Sequence, residues 1–256
     1  PVAGMEAAVR ACDRGHQVIL CEKTDSLGGA IKYAKYVSFK QDLDKYMHVM
    51  EQRVLNRKEI TLFLNTTVTP EMAEELKPDV LVMAIGAKAF IPPIPGIDGK
   101  NVVPAVGMHE NHAAIGNRVV VIGGGLIGCE EALELAKNGH EVTVLEMRED
   151  VAIDSAYLHR EALLLELEKQ KEHVKLFCNM SCSEIRENGV TAVAKNGEER
   201  FFAADTVLVA AGMRPLTEET EKFRYCAPDF QVIGDCYRPA RVLEAAKMGY
   251  NVAMHL

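Results

Sequence analysis

The sequence predicts an α/β fold made of two parallel-sheet modules, and three features carry that reading. Short apolar runs of strand length alternate with helix-period segments along most of the 256 residues. One glycine-rich stretch, Gly123-Gly124-Gly125-Leu126-Ile127-Gly128, sits between an apolar run and a helical pattern. The chain also repeats itself: residues 1–23, "PVAGMEAAVRACDRGHQVILCEK", align without a gap on residues 125–147. Gly4 falls on Gly128, Glu6 on Glu130, Ala8 on Ala132, Gly15 on Gly139, His16 on His140, Val18 on Val142 and Glu22 on Glu146. The expected architecture is therefore two Rossmann-like units. The first is discontinuous and lacks its opening strand, because Pro1 stands where Gly125 stands in the complete copy.

In chain order, the pattern predicts a helix over about 4–14, a strand over 17–22 and a polar loop containing Gly28 and Gly29. Leu43, Tyr46, Met47, Met50 and Val54 recur at helical spacing and mark the next helix. "EITLFLNTTVT" reads as a strand with its exit, and "PEMAEEL" as a short helix with Pro70 in its first turn. "DVLVMAIGA" is an unbroken apolar run, as expected of a strand buried on both faces. A Pro-rich connector, "FIPPIPGIDG", separates the modules. The second module has strand 118–122, helix 126–138 and strand 141–146, then a helix capped by Asp154 or Ser155. Asn188-Gly189 and Asn196-Gly197 mark hairpins within residues 173–202. "DTVLVAAGMRP" returns to a buried strand, "FQVIGDC" is another, and the closing helix is expected to carry Pro239 in its first turn. The domain limits expected are 1–105 plus 215–256 for the first module and 106–214 for the second.

Composition narrows the function. The apolar content of 48% supports a sizeable core, and a net charge of −8 without a basic tract argues against nucleic acid as a partner. No apolar run reaches the roughly 18 residues of a membrane helix. Seven irregularly spaced cysteines suit a reducing cytoplasm better than a disulfide scaffold. No secretory signal is evident, so a cytoplasmic location is expected, with a homo-oligomer left open.

The glycine string gains specificity from its context: strand before, helix after, and an acidic residue at the end of the next strand. Gly123 permits a tight turn, Gly125 lets backbone approach a pyrophosphate, and Gly128 lets the helix pack close to the strand. The helix N-terminus offers N–H donors and positive dipole to phosphate. Glu146 is placed to accept from ribose hydroxyls and to repel a 2′-phosphate, which favours NADH; Arg148, two residues on, pulls the other way. Gly4 and Glu22 would serve a second nucleotide, or remain only as packing.

These stretches together resemble the two-dinucleotide flavoprotein reductases, in which an FAD domain is interrupted by an NAD(P)H domain. The carriers are the half-unit 4–22, Glu22-Lys23 leading to Gly28-Gly29, "AIGAKAFIPPIPG", the fingerprint 123–128, "AAGMRP" and "VIGDC". The segments "KQDLDKYMHVMEQRV", "LFLNTTVTPE" and "IGDCYRPARVLEAAKMGY" resemble the C-terminal half of the large NADH:flavin oxidoreductases, of 2,4-dienoyl-CoA reductase, 2-enoate reductase, bile-acid-inducible reductase and trimethylamine dehydrogenase type. The resemblance implies FAD, or ADP in its place, in the first module and NADH in the second. It implies that Glu22 meets the adenosine ribose and Asp235 the ribityl or phosphate end; a helix-capping or turn carboxylate is the competing reading of Asp235. The cofactor-binding residues expected are Gly4, Glu22, Lys23, Gly28, Gly29, Gly86, Asp235, Gly123, Gly125, Ile127, Gly128, Glu146 and Gly212.

The same resemblance implies an N-terminal barrel with FMN and a cysteine segment with [4Fe–4S], neither of which this sequence contains. The expected function is an electron-input module passing hydride from NADH to FAD and feeding reduction of an activated C=C bond. A non-redox ADP-binding module is the alternative. A disulfide reductase is disfavoured, because no Cys lies between Gly29 and Cys129 and no C-x-x-C occurs. Cys12, Cys21, Cys129, Cys178 and Cys182 read as small buried residues. No catalytic side chain or metal ligand is expected. His109, His112, Lys88 and Arg214 lie in loops that could border the site or simply face solvent.

Overall fold

A computed structural model describes residues 1–109 and 114–256. They form two compact units: residues 1–35, 39–88 and 213–256 in the first, and residues 36–38 and 89–212 in the second.

The chain begins with α1 (Val2–Asp13), β1 (Val18–Cys21), a 3-10 segment (Gly29–Tyr36), α2 (Gln41–Leu55), β2 (Ile60–Phe63), α3 (Pro70–Leu76), β3 (Val80–Met83) and β4 (Ala87–Ala89). The second unit holds β5 (Val102–Pro104), β6 (Arg118–Ile122), α4 (Leu126–Lys137), β7 (Glu141–Leu145), α5 (Tyr157–Lys169), β8 (Val174–Phe177), β9 (Met180–Arg186), β10 (Gly189–Ala194), β11 (Glu199–Ala203) and β12 (Thr206–Val209). The chain then returns through β13 (Met213–Pro215), α6 (Thr217–Glu221), β14 (Asp229–Val232) and α7 (Val242–His255).

The second unit is a complete α/β layer. Its parallel sheet has the order β5-β12-β6-β7-β8, with β6 in the centre. Helices α4 and α5 cover one face through Val119, Val121, Leu133, Val144, Leu163 and Leu208. The antiparallel sheet β11-β10-β9 supplies the other face, where Val120, Ile122, Val190, Phe202 and Val207 pack together. Burial on both faces explains the near-continuous Val/Ile/Leu composition of β6 and β12. In the first hairpin the two turn residues are Glu187 and Asn188, with Gly189 opening β10 opposite Arg186.

Part of this plan recurs in the first unit. β1 pairs in parallel with β2, and β14 with β3, as two separate two-stranded sheets. The repeat makes β1 the counterpart of β7 and β3 the counterpart of β12; among the described residues nothing stands where β6 stands. The burial records the difference. β12 is buried along its length, whereas Val80, Leu81 and Val82 of β3 are only half-buried. The expectation of a strand buried on both faces therefore fails for β3, which among the described residues pairs with β14 alone. Ile19 of β1 is likewise 50% exposed. Helix α1 spans both pairs: Met5 and Val9 share a core with Val18 and Leu62, while Ala3 and Ala7 pack with Val82 and Ala84.

The repeat is conformational as well as sequential. Adding 124 to the bounds of α1 gives the bounds of α4. Both helices end on a left-handed glycine, Gly15 (φ +93°) and Gly139 (φ +88°). Both glycine N–H groups donate at 2.9 Å, to the Cys12 and Ala136 carbonyls.

Two helix starts differ from expectation. α5 begins at Tyr157 after Ala156 and has no side-chain cap, so neither Asp154 nor Ser155 caps it. α7 begins at Val242, which leaves Pro239 in the preceding loop; the Ala240 N–H donates to Asp235 Oδ1 at 3.2 Å and holds that loop out of the helix. Among the described residues, no helix is long and apolar enough to cross a membrane.

Candidate functional site

In the second unit, β6 delivers Gly123 to the C-terminal end of the parallel sheet, and α4 starts three residues later. Gly123 has φ +105°, and a Cβ there would stand 2.4 Å from the Ala210 carbonyl oxygen, so only glycine closes this turn. A Cβ on Gly128 would lie 1.9 Å from the Gly123 carbonyl oxygen, which brings helix and turn into backbone contact. Gly125 differs from both. Its backbone is ordinary (φ −68°, ψ −176°), and the nearest atom to a Cβ there is Arg148 Nη2 at 4.0 Å. Its lack of a side chain leaves open surface beside the first N–H groups of α4. That helix has no side-chain cap and no acid in its first turn, so its donors and positive end remain for an anion. Ile127 turns its side chain into the core below. Gly212 (φ +106°) lies beyond β12, with nothing within 4 Å of a Cβ.

Glu146, immediately after β7, is 4% exposed. Its Oε2 accepts the Gly124 N–H at 2.7 Å, and its Oε1 accepts the Arg148 N–H at 2.9 Å. The middle glycine thus ties the acidic residue to the turn, a role the G-x-G-x-x-G pattern hides in a variable position. Oε1 also accepts from Arg148 Nε at 3.1 Å, so Oε2 is the oxygen that keeps a second lone pair for a ribose hydroxyl. The Ala152 N–H bonds the Gly124 carbonyl at 2.7 Å, which holds Ala152 at φ +50°. Beyond Glu146 an open cavity of about 580 Å³ is lined by Met147, Arg148, Ile153, Asn179, Ser181 and Lys195 among others.

The first unit holds the second half of the same arrangement. Glu22 follows β1, is 8% exposed, and accepts the Thr24 N–H on Oε1 at 3.0 Å, matching the Glu146–Arg148 bond. Gly4 packs its open side on Ala84, 3.1 Å from a Cβ, as Gly128 does on Ala210 at 3.2 Å. Gly29 (φ +58°) and Gly86 (φ +83°) bracket Pro1 at the start of α1, with Cβ positions 3.4 and 3.9 Å from it. Glu22 and Asp235 also lie within electrostatic reach of the Pro1 nitrogen. Gly28 (φ +116°) packs on Met47, and Lys23 is exposed. Burial pushes the Asp235 carboxyl upward, partly offset by the Ala240 N–H it accepts. The residues named from sequence therefore converge in two groups, one per unit, each at the C-terminal ends of parallel strands. Among the described residues, the glycine turn 123–125 belongs to the second group.

The bordering residues divide. Lys88, on β4, pairs with Glu219 at 3.4 Å. His109 is no plain surface group: Glu131 lies 3.0 Å from its Nε2, Tyr36 stacks on it with ring centroids 5.3 Å apart, and its pKa is raised by the bond to Glu131. Arg214 lies on β13, and His112 lies outside the described residues. Of the five cysteines expected to be buried, only Cys129 is; Cys12, Cys21, Cys178 and Cys182 are half-buried. Burial pushes the Cys129 thiol up to about 12, so it holds no thiolate near neutrality.

Comparison with known proteins agrees with this layout. Residues 2–249 match the family described as pyridine nucleotide-disulphide oxidoreductase. The NADH oxidase of Thermoanaerobacter brockii is 34% identical over 99% of this chain and 39% of its own length. The cinnamate reductase of Clostridium sporogenes is 31% identical over 100% of this chain and 38% of its own length. The solved 2-naphthoyl-CoA reductase complex superposes with a TM-score of 0.92 and 32% identity, again over 100% of this chain and 38% of that one. The chain thus spans about two fifths of the length of the relatives it matches. That span, with the paired nucleotide units, assigns it: the chain belongs to the pyridine nucleotide-disulphide oxidoreductase family, as the FAD- and NAD(P)H-binding module of enoate-reductase-like flavoproteins.

Proposed function

We propose that this chain is an electron-input module that binds NADH in the second unit and FAD in the first. The observation that carries the reading is the pairing, in the second unit, of an uncapped helix N-terminus at Gly125 with a buried ribose acceptor at Glu146. The donor set fits a dinucleotide: the first N–H groups of α4 for the pyrophosphate, Glu146 for the adenosine ribose, and the cavity beside Met147 and Ile153 for the base. Glu22 and Asp235, with Gly29 and Gly86 beside Pro1, fit the sugar and phosphate portions of a second nucleotide. When bound, NADH supplies a hydride and FAD accepts it. The protein contributes position and electrostatics, and no side chain is assigned as nucleophile, acid or base.

In the longer protein, the substrate chemistry belongs to an N-terminal half carrying FMN and a [4Fe–4S] cluster, and the reaction is reduction of an activated C=C bond of enoate or enoyl-CoA type. The names of the cinnamate and 2-naphthoyl-CoA reductases support that class.

Gly125→Ala tests the nicotinamide site. Nothing in the fold opposes the added methyl, which stands only where a pyrophosphate must approach. The variant is expected to keep wild-type stability and to lose about ten-fold or more in NADH affinity, read by nicotinamide fluorescence. Unchanged affinity in a folded variant contradicts the assignment.

A further inference from the structure

The sequence offers Asp154 or Ser155 as the cap of α5, but the helix starts beyond both and takes no side-chain cap. Instead Asp154 Oδ2 holds Arg148 Nη1 at 2.6 Å. The other side of the same guanidinium, Nε, lies 3.1 Å from Glu146 Oε1. Arg148 is thus clamped between two carboxylates, with Nη2 facing the Gly125 turn 4.0 Å from where a Cβ would stand. The loop that presents Asp154 is itself fixed. Arg160 Nε donates to the Val151 carbonyl at 3.0 Å, and its guanidinium pairs with Asp150. The Ala152 N–H is bound to the turn at Gly124.

We propose that Asp154 is a positioning residue that sets the choice between NADH and NADPH by sequestering Arg148; the inference rests on the dinucleotide site proposed above. Arg148 stands two residues past the ribose acceptor, where a guanidinium is suited to hold a 2′-phosphate bidentately. With Asp154 in place that charge is already engaged. The cluster Glu146, Arg148 and Asp154 carries a net charge of −1, and on the same cavity wall Glu149 and Lys195 offset each other. A 2′-phosphate meets repulsion there, whereas a 2′-hydroxyl meets a carboxylate acceptor. Removing the Asp154 charge brings the cluster to neutrality and releases the guanidinium. Asp154 has a side chain 78% exposed, so its replacement leaves the fold alone.

The test measures Kd for NADH and NADPH, by nicotinamide fluorescence and calorimetry, in the unsubstituted chain, Asp154→Asn, Arg148→Gln and the double variant. The unsubstituted chain is expected to prefer NADH. Asp154→Asn should narrow the NADPH-to-NADH Kd ratio by about ten-fold, the size expected when the released guanidinium gains a charge-assisted bond to the phosphate. In the Arg148→Gln background the same Asp154→Asn change should narrow the ratio by clearly less. An unchanged ratio in Asp154→Asn overturns the proposal. So does equal narrowing without Arg148, which would reduce the effect of Asp154 to plain repulsion. If neither nucleotide binds the unsubstituted chain, the site itself fails and this inference with it, a result distinct from NADH binding with no response at Asp154.

Discussion

Replacing the repeated glycine in each unit should give sharply different results. A Cβ on Gly128 would stand 1.9 Å from the Gly123 carbonyl oxygen, so α4 or the turn must move by more than about 1 Å to reach ordinary contact. Overpacking of this kind costs about 3 kcal/mol. Displacing the turn also weakens the Gly124–Glu146 bond, a charge-assisted contact of about 1.5 kcal/mol. The better helix propensity of alanine returns about 1 kcal/mol, leaving a net loss near 3 kcal/mol for Gly128→Ala. The equivalent Cβ on Gly4 would meet only Ala84 Cβ at 3.1 Å, a contact relieved by a shift of a few tenths of an ångström. Its cost of about 1 kcal/mol is cancelled by the same propensity gain, so Gly4→Ala is near neutral. Calorimetry should show the melting transition of the second unit lowered by about 10 °C for Gly128→Ala and neither transition moved for Gly4→Ala. Hydrogen exchange over residues 118–146 locates the effect. Equal costs at the two positions would refute the claim that the close approach of α4 to the Gly123 carbonyl sets the cost at Gly128.

Two further outcomes follow from the titrating groups. The pKa of His109 is raised, first by its bond to Glu131, so the pair stabilises the second unit fully below the ordinary histidine value of about 6.5 and less as pH rises through the higher folded value. Urea unfolding from pH 5 to 9 should show that loss, and His109→Gln should flatten the profile; an identical profile removes the pair from the stability account. Cys129, with its thiol pushed up to about 12, should resist alkylation in the native protein at pH 8 and react only after unfolding. Labelling of Cys129 faster than that of half-buried Cys21 would contradict its burial.

Much of this architecture was legible because the repeat is local in sequence. The apolar spacing of residues 2–13 and 126–137, each closed by a glycine, dictates one helix at matching bounds in both copies. The acidic residues Glu22 and Glu146 likewise end their strands with the same bond to the residue two positions on. Features that depend on distant partners were not legible. Glu130, Glu131 and Glu134 of α4 are all buried, with His159, His109 and Ser38 reaching them from remote segments. Asp154 looked like a cap because Asp before a helical pattern usually is one; Arg148 competes for it. The half-burial of β3 depends on its pairing with β14, a segment remote in sequence, and the local run of apolar residues does not reveal it.

The central claim, two nucleotide sites coupled for hydride transfer, is tested most directly by the visible spectrum of the purified chain incubated with FAD, freed of excess and titrated anaerobically with NADH. The account predicts retained flavin bands that bleach on NADH addition. A colourless protein that retains no flavin and releases ADP on denaturation would contradict it.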